Sequence, residues 1–124
     1  MTLAIKNLSR RPRPRLNFRS MTTRVLGQDY ELSLVFVDSA RSRNLNRVWR
    51  GKNQPANILS FPLTPTAGEI FIDLEMVGKK NLLFIFIHGL LHLKGLDHGS
   101  KMEALESQLV KYFQTYEQTD RHRS

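Results

Sequence analysis

Cysteine is absent from the 124 residues, which excludes disulfide stapling, thiolate metal sites and a cysteine nucleophile. Histidine and carboxylate remain as the only strong metal ligands. Long apolar runs are also lacking: the longest, Leu82 to Leu93, is interrupted by Gly89 and two histidines and falls short of the ~20 residues that a membrane span needs. The basic N-terminus has no apolar centre of the kind a secretory leader carries, and Pro12 and Pro14 disfavour an amphipathic transit helix. No targeting segment and no membrane partner are expected, and a cytoplasmic location fits the missing cysteines.

Negative charge is missing from two long stretches. Met1 to Gln28 carries Lys6, Arg10, Arg11, Arg13, Arg15, Arg19 and Arg24 with no carboxylate, and Ser39 to Gly68 carries Arg41, Arg43, Arg47, Arg50 and Lys52 with none. The formal net charge of +8 is thus concentrated in two basic regions. Such asymmetry attracts polyanions and speeds their encounter, and nucleic acid is the commonest polyanion in a cell. A solubilising surface with a frayed basic tail is the plainer alternative.

The hydrophobic share of 40% and charged share of 24% are those of an ordinary soluble chain, so neither disorder nor a fibrous repeat is indicated. A chain of this length predicts one domain over 1–124, burying ~65–70% of its unfolded surface. Residues 1–15 are expected to form a basic, partly flexible arm. Within it Thr2 to Leu8 can make a short strand before RRPRPR breaks regular structure, since each proline fixes φ and lacks an N–H.

Leu16 to Gly27 is read as a helix. ELSLVFVD, Glu31 to Asp38, is apolar on both faces, as a buried strand must be. Ser39 to Trp49 predicts a helix with Ser39 as N-cap, Leu45, Val48 and Trp49 on an inward stripe, and Gly51 as its stop. Two further strands follow, Asn57 to Phe61, closed by Pro62, and Glu69 to Asp73. Leu82 to Lys94 predicts a mostly buried helix. Lys101 to Gln118 predicts an amphipathic one with Met102, Leu105, Leu109, Tyr112, Phe113 and Tyr116 turned inward, ahead of a frayed TDRHRS tail.

Three of the four histidines fall within eleven residues, HGLLHLKGLDH. On a helix His88 and His92 differ by only ~40° and project from one face a turn apart. A continued helix would carry His98 roughly 80° off that face and some 15 Å along the axis. Gly95 is placed to end the helix in the left-handed conformation, letting the chain fold back with His98. Three imidazoles leave one tetrahedral position open, the layout of a catalytic zinc site, and an ion there brings the pKa of its water from about 15.7 towards ~7. Zn²⁺ is the expected ion, with Ni²⁺ or another transition metal as the alternative. Asp97 is either an acceptor orienting one imidazole or a turn residue. His122 is read as an ordinary tail histidine.

The spacing H-x-x-x-H-x-x-G-x-x-H is shared with metzincin proteases, whose glutamate after the first histidine serves as general base. Here that position is Gly89. Without the carboxylate, no group is evident to pass a proton to a leaving amine, and peptide hydrolysis is not expected. A phosphodiester demands less of such a base when a cation offsets charge on the phosphate.

HGLLHLKGLDH, together with LNRVWRGKNQPANILSFPL and GEIFIDL, resembles the YbeY family of bacterial rRNA-maturation endoribonucleases, whose motif H-G-x-L-H-L-x-G-x-D-H matches at every specified position. The resemblance runs from about Glu31 to Tyr116. It implies an α/β (α+β) fold, a small mixed sheet of about four strands packed with helices around a central metal-binding helix. It also implies a metal-dependent, single-strand-specific endoribonuclease of rRNA processing and ribosome quality control. His88, His92 and His98 would be the zinc ligands. The arginine of the family's R-G-K segment falls on Arg50, where a guanidinium can pair with phosphate; a helix-end arginine favouring the dipole is the residue's other reading. Asn57 and Ser60 fall on the family pattern without an assigned catalytic role.

Three departures stand out: a short arginine-rich region before Glu31, a short segment between His98 and Met102, and Glu69 where aspartate is common. The implied partner is RNA of the small ribosomal subunit rather than DNA, with no protein partner indicated. The competing reading is a non-catalytic ribosome-assembly factor whose metal is structural.

Overall fold

A computed structural model describes the backbone of residues 1–123 and the side chains of residues 1–115. In chain order the elements are β1 (Thr2–Asn7), α1 (Phe18–Leu26), β2 (Glu31–Val37), α2 (Ser39–Arg50), β3 (Ile58–Thr64), β4 (Ala67–Asp73), α3 (Lys79–Leu93) and α4 (Ser100–Arg123). The strands form one mixed sheet in the order β1-β2-β4-β3. β1 and β4 flank β2 in parallel, and β3 runs antiparallel to β4 at the other edge. The four strands and the helix-wrapped architecture expected from the sequence are therefore present.

Alternation along each strand divides the side chains between two faces. Leu32, Leu34 and Phe36 of β2 lie beside Ile70 and Ile72 of β4, and they join Phe18, Met21, Leu82, Phe86, Leu90, Met102 and Phe113 in one buried cluster. This face carries α1, α3 and α4. Helix α3 is apolar nearly all round because it is covered nearly all round: Leu82, Phe86, Ile87, Gly89, Leu90, Leu91 and Leu93 are buried.

The opposite face, with Phe61, Phe71 and Asp73, receives α2, and here the expected inward stripe is overturned. Val48 is 58% and Trp49 68% exposed, whereas the buried residues of α2 are Ser42 and Asn46. The reason is polar anchoring. The Ser39 and Ser42 hydroxyls donate to Asp73 Oδ2 at 2.8 and 2.7 Å, and Asn46 Nδ2 donates to the Gln54 carbonyl at 2.9 Å. A buried carboxylate needs such donors, so the helix presents hydroxyl and amide rather than indole to the sheet. Its N-cap is Asp38, not Ser39, while Gly51 ends it at φ +71° as expected.

Other differences are smaller. β3 runs through Pro62 to Thr64 instead of closing at the proline, with a register shift between those two residues; an edge strand tolerates the missing N–H. Helix α4 continues to Arg123, so the backbone of TDRHR is helical. Ser124 and the Tyr116 and His122 side chains lie outside the described residues.

Candidate metal centre

Near the C-terminal end of α3, His88 and His92 stand one turn apart. The helix then ends in a Schellman arrangement: the Gly95 N–H donates to the His92 carbonyl at 3.0 Å and the Leu96 N–H to the Leu91 carbonyl at 3.1 Å. Gly95 sits at φ +100°, a conformation that suits glycine. The reversal returns His98 to the other two imidazoles, with ring centroids 4.5 Å (His88–His92), 5.2 Å (His88–His98) and 4.9 Å (His92–His98) apart. One ring nitrogen from each histidine lies within 4.8 Å of the others, and the three can hold a metal ion.

The donor set fits such an ion in a second way. The Nε2 atoms of His88 and His92 are 3.0 Å apart, close to the ~3.3 Å separating two nitrogens bound at ~2.0–2.1 Å in a tetrahedral zinc site. His88 Nδ1 meets the Glu106 carboxylate of α4. That contact assigns the Nδ1 proton to the carboxylate side and leaves Nε2 free to act as a ligand, the usual division of labour on a metal-site histidine. Asp97, by contrast, is exposed and makes no hydrogen bond among the described residues.

Glu106 was not singled out from the sequence, although a signal existed. It falls at helical spacing with Met102 and Phe113, both buried, on the inward face of α4, and a carboxylate on an apolar stripe needs a partner. Burial above all, then the charges of His88, His98 and Arg50, lowers the His92 pKa below the ordinary histidine value, with Glu106 pulling the other way. A lowered value keeps the imidazole neutral, the form that binds metal.

Arg50, at the last turn of α2, is exposed, with its guanidinium carbon 6.0 Å from the Phe61 ring centre, and its charge is felt at His92. Ser60 Oγ lies 3.5 Å from the Gly89 carbonyl, and the Asn57 backbone carbonyl accepts from the Asp73 N–H at 3.0 Å. Gly89 faces the sheet. A Cβ there would lie 2.5 Å from Ile58 Cδ1 and 3.1 Å from Ser60 Oγ, so a glutamate has no room at this position.

Residues 7–114 match the family described as Endoribonuclease YbeY. The chain belongs to the YbeY family. A protein named Endoribonuclease YbeY from Rhizobium etli is 36% identical over 104 residues, covering 64% of this chain and 61% of its own length. Another of that name from Methylocella silvestris is 36% identical over 106 residues, covering 68% and 60% respectively. The chain thus spans about three fifths of the length of these YbeY relatives. The solution structure of a Thermotoga maritima protein superposes with a TM-score of 0.68 at 20% identity, covering 99% of this chain and 96% of that one, which shows a common fold. The YbeY match contains both the histidine segment and Arg50.

Proposed function

We propose that this YbeY-family chain is a metal-dependent, single-strand-specific endoribonuclease, cytoplasmic, acting in the maturation of small-subunit rRNA and in ribosome quality control. The observation that carries the reading is the three-imidazole cluster, one of whose rings is oriented by Glu106. His88, His92 and His98 hold one ion, Zn²⁺ in the first instance. When bound, that ion supplies Lewis acidity towards a phosphate oxygen.

The remaining roles belong to the chain. Glu106 fixes the His88 ring, and the turn at Gly95 delivers His98. Arg50 pairs with a non-bridging phosphate oxygen and offsets charge as it builds on phosphorus, a task for which a guanidinium is well shaped. Position 89, closed against the sheet, offers no base for peptide hydrolysis.

Cleavage of an unstructured RNA by metal-replete protein tests the proposal. His92→Ala and Arg50→Ala are each expected to abolish cutting, and metal analysis of the same preparation identifies the ion. Equal activity in wild type and both variants, the mark of a contaminating nuclease, would overturn it. RNA binding with no cleavage under any metal would favour an assembly factor instead.

A further inference from the structure

Trp49 is the chain's only tryptophan, and at 68% exposure it forgoes the burial that its large apolar ring usually finds. It is not isolated. Its ring lies 6.1 Å from that of Phe61, inclined by 58°, and Phe61 meets Phe71 edge-on at 6.0 Å. The three rings form a stepped row across β3 and β4, with its outer end in solvent.

Arg50 lies against this row, its guanidinium carbon 6.0 Å from the Phe61 ring centre. Arg43, Arg47, Arg50 and Lys52 are exposed, and among the described residues none forms a salt bridge. Of the carboxylates on this face, Glu69 stands opposite Phe61 in the strand register, and Asp73 is buried beneath the serines of α2. A protein-binding surface is typically depleted of charge at its centre. An exposed aromatic beside an arginine free of carboxylate partners suits a single-stranded nucleic acid, whose bases stack on rings while its phosphates meet cations. A duplex, with its bases already stacked, does not offer a face to such a ring.

Position relative to the metal centre adds the second element. Side chains alternate along β3, so Ser60 points to Gly89 on α3 while Phe61 points to Trp49 on α2. The aromatic row and the histidine cluster therefore lie on the two sides of one edge strand, with Arg50 against the Phe61 ring.

We propose that Trp49, supported by Phe61, is a stacking platform for one unpaired base of the RNA strand, with Arg47, Arg50 and Lys52 holding the adjoining phosphates. It thereby sets which phosphodiester along the strand reaches the histidine centre. The inference rests on the RNA reading above and makes Trp49 a positioning residue outside the reacting atoms.

The lone indole is its own reporter. The metal-loaded protein is titrated with an end-labelled 12-nucleotide uridine strand and with an abasic sugar-phosphate strand of equal length, following tryptophan emission and label anisotropy and checking on a gel that each strand stays intact during the measurement. The uridine strand is expected to quench Trp49 and the abasic strand to leave it unchanged. Trp49→Ala should weaken uridine-strand binding about tenfold, to the abasic level, while Trp49→Phe keeps most of the affinity. In cleavage, Trp49→Ala should raise KM more than it lowers kcat and scatter the cut positions.

Equal affinity of wild type and Trp49→Ala for the uridine strand overturns the platform even if cleavage persists. Quenching without any cleavage removes the enzymatic reading and leaves the platform standing. A concentration-dependent dimer that Trp49→Ala abolishes, with RNA binding unchanged, shows the ring to be a self-association surface and overturns the proposal.

Discussion

Glu106 holds one ring of the candidate metal site, that of His88. The glutamate is 7% exposed and its carboxylate meets the His88 ring, so burial and orientation are joined in one contact. Outer carboxylates of this kind contribute about 10- to 100-fold in metal affinity. Glu106→Gln, which preserves shape but loses the charge, is expected to weaken zinc binding by about that factor in competition with a chromophoric chelator. The melting temperature of the metal-free protein should change little. An unchanged affinity would show that the His88 ring is held by α3 alone.

At the level of elements, the sheet and α3 approach one another closely enough to exclude side chains at two glycines. A Cβ at Gly68, in β4, would collide with the Tyr30 hydroxyl and lie 2.9 Å from a Leu93 methyl. That hydroxyl is buried without a hydrogen-bond partner among the described residues. Gly68→Ala is therefore expected to destabilise by about 1–3 kcal/mol through overpacking, read as a lower denaturation midpoint, and Tyr30→Phe in the same chain should recover part of the loss. If Gly68→Ala is neutral, the β4–α3 contact is looser than described.

These close approaches were invisible in the sequence, because the facing residues are far apart along the chain. What was legible followed local rules. The two-sided apolar β2, the i, i+4 histidines and the helix-ending Gly95 each carry their reason within a few neighbouring residues. The α2 stripe was misread for the complementary reason: Leu45, Val48 and Trp49 have helical spacing, but what faces the sheet is decided by the buried Asp73, more than twenty residues downstream. Glu106 escaped for a similar cause, since its partner lies on another helix.

Across the molecule, the two carboxylate-free regions are joined. The Arg10 N–H donates to the Asp38 carboxylate at 3.3 and 3.1 Å, which ties the arginine-rich segment after β1 to the start of arginine-rich α2. Binding to single-stranded RNA should accordingly fall with salt, with a log–log slope near −0.7 per phosphate neutralised. Replacing Arg47 and Arg50 together with glutamine is expected to flatten that slope by about 1.4. A slope unchanged by this pair would move the phosphate contacts away from α2.

The return of His98 through Gly95 has a kinetic corollary. Two imidazoles stand ready on a folded helix, while the third is exposed and lies between two glycines at positive φ, Gly95 and Gly99. If the three rings hold an ion as proposed, it would meet His88 and His92 as a preset pair and be closed in by His98. A competing chelator would be expected to reach the exposed His98 before the two helix-borne rings. Occupancy in a living cell would then follow the free-metal level promptly, and the activity proposed for the chain would be coupled to metal supply.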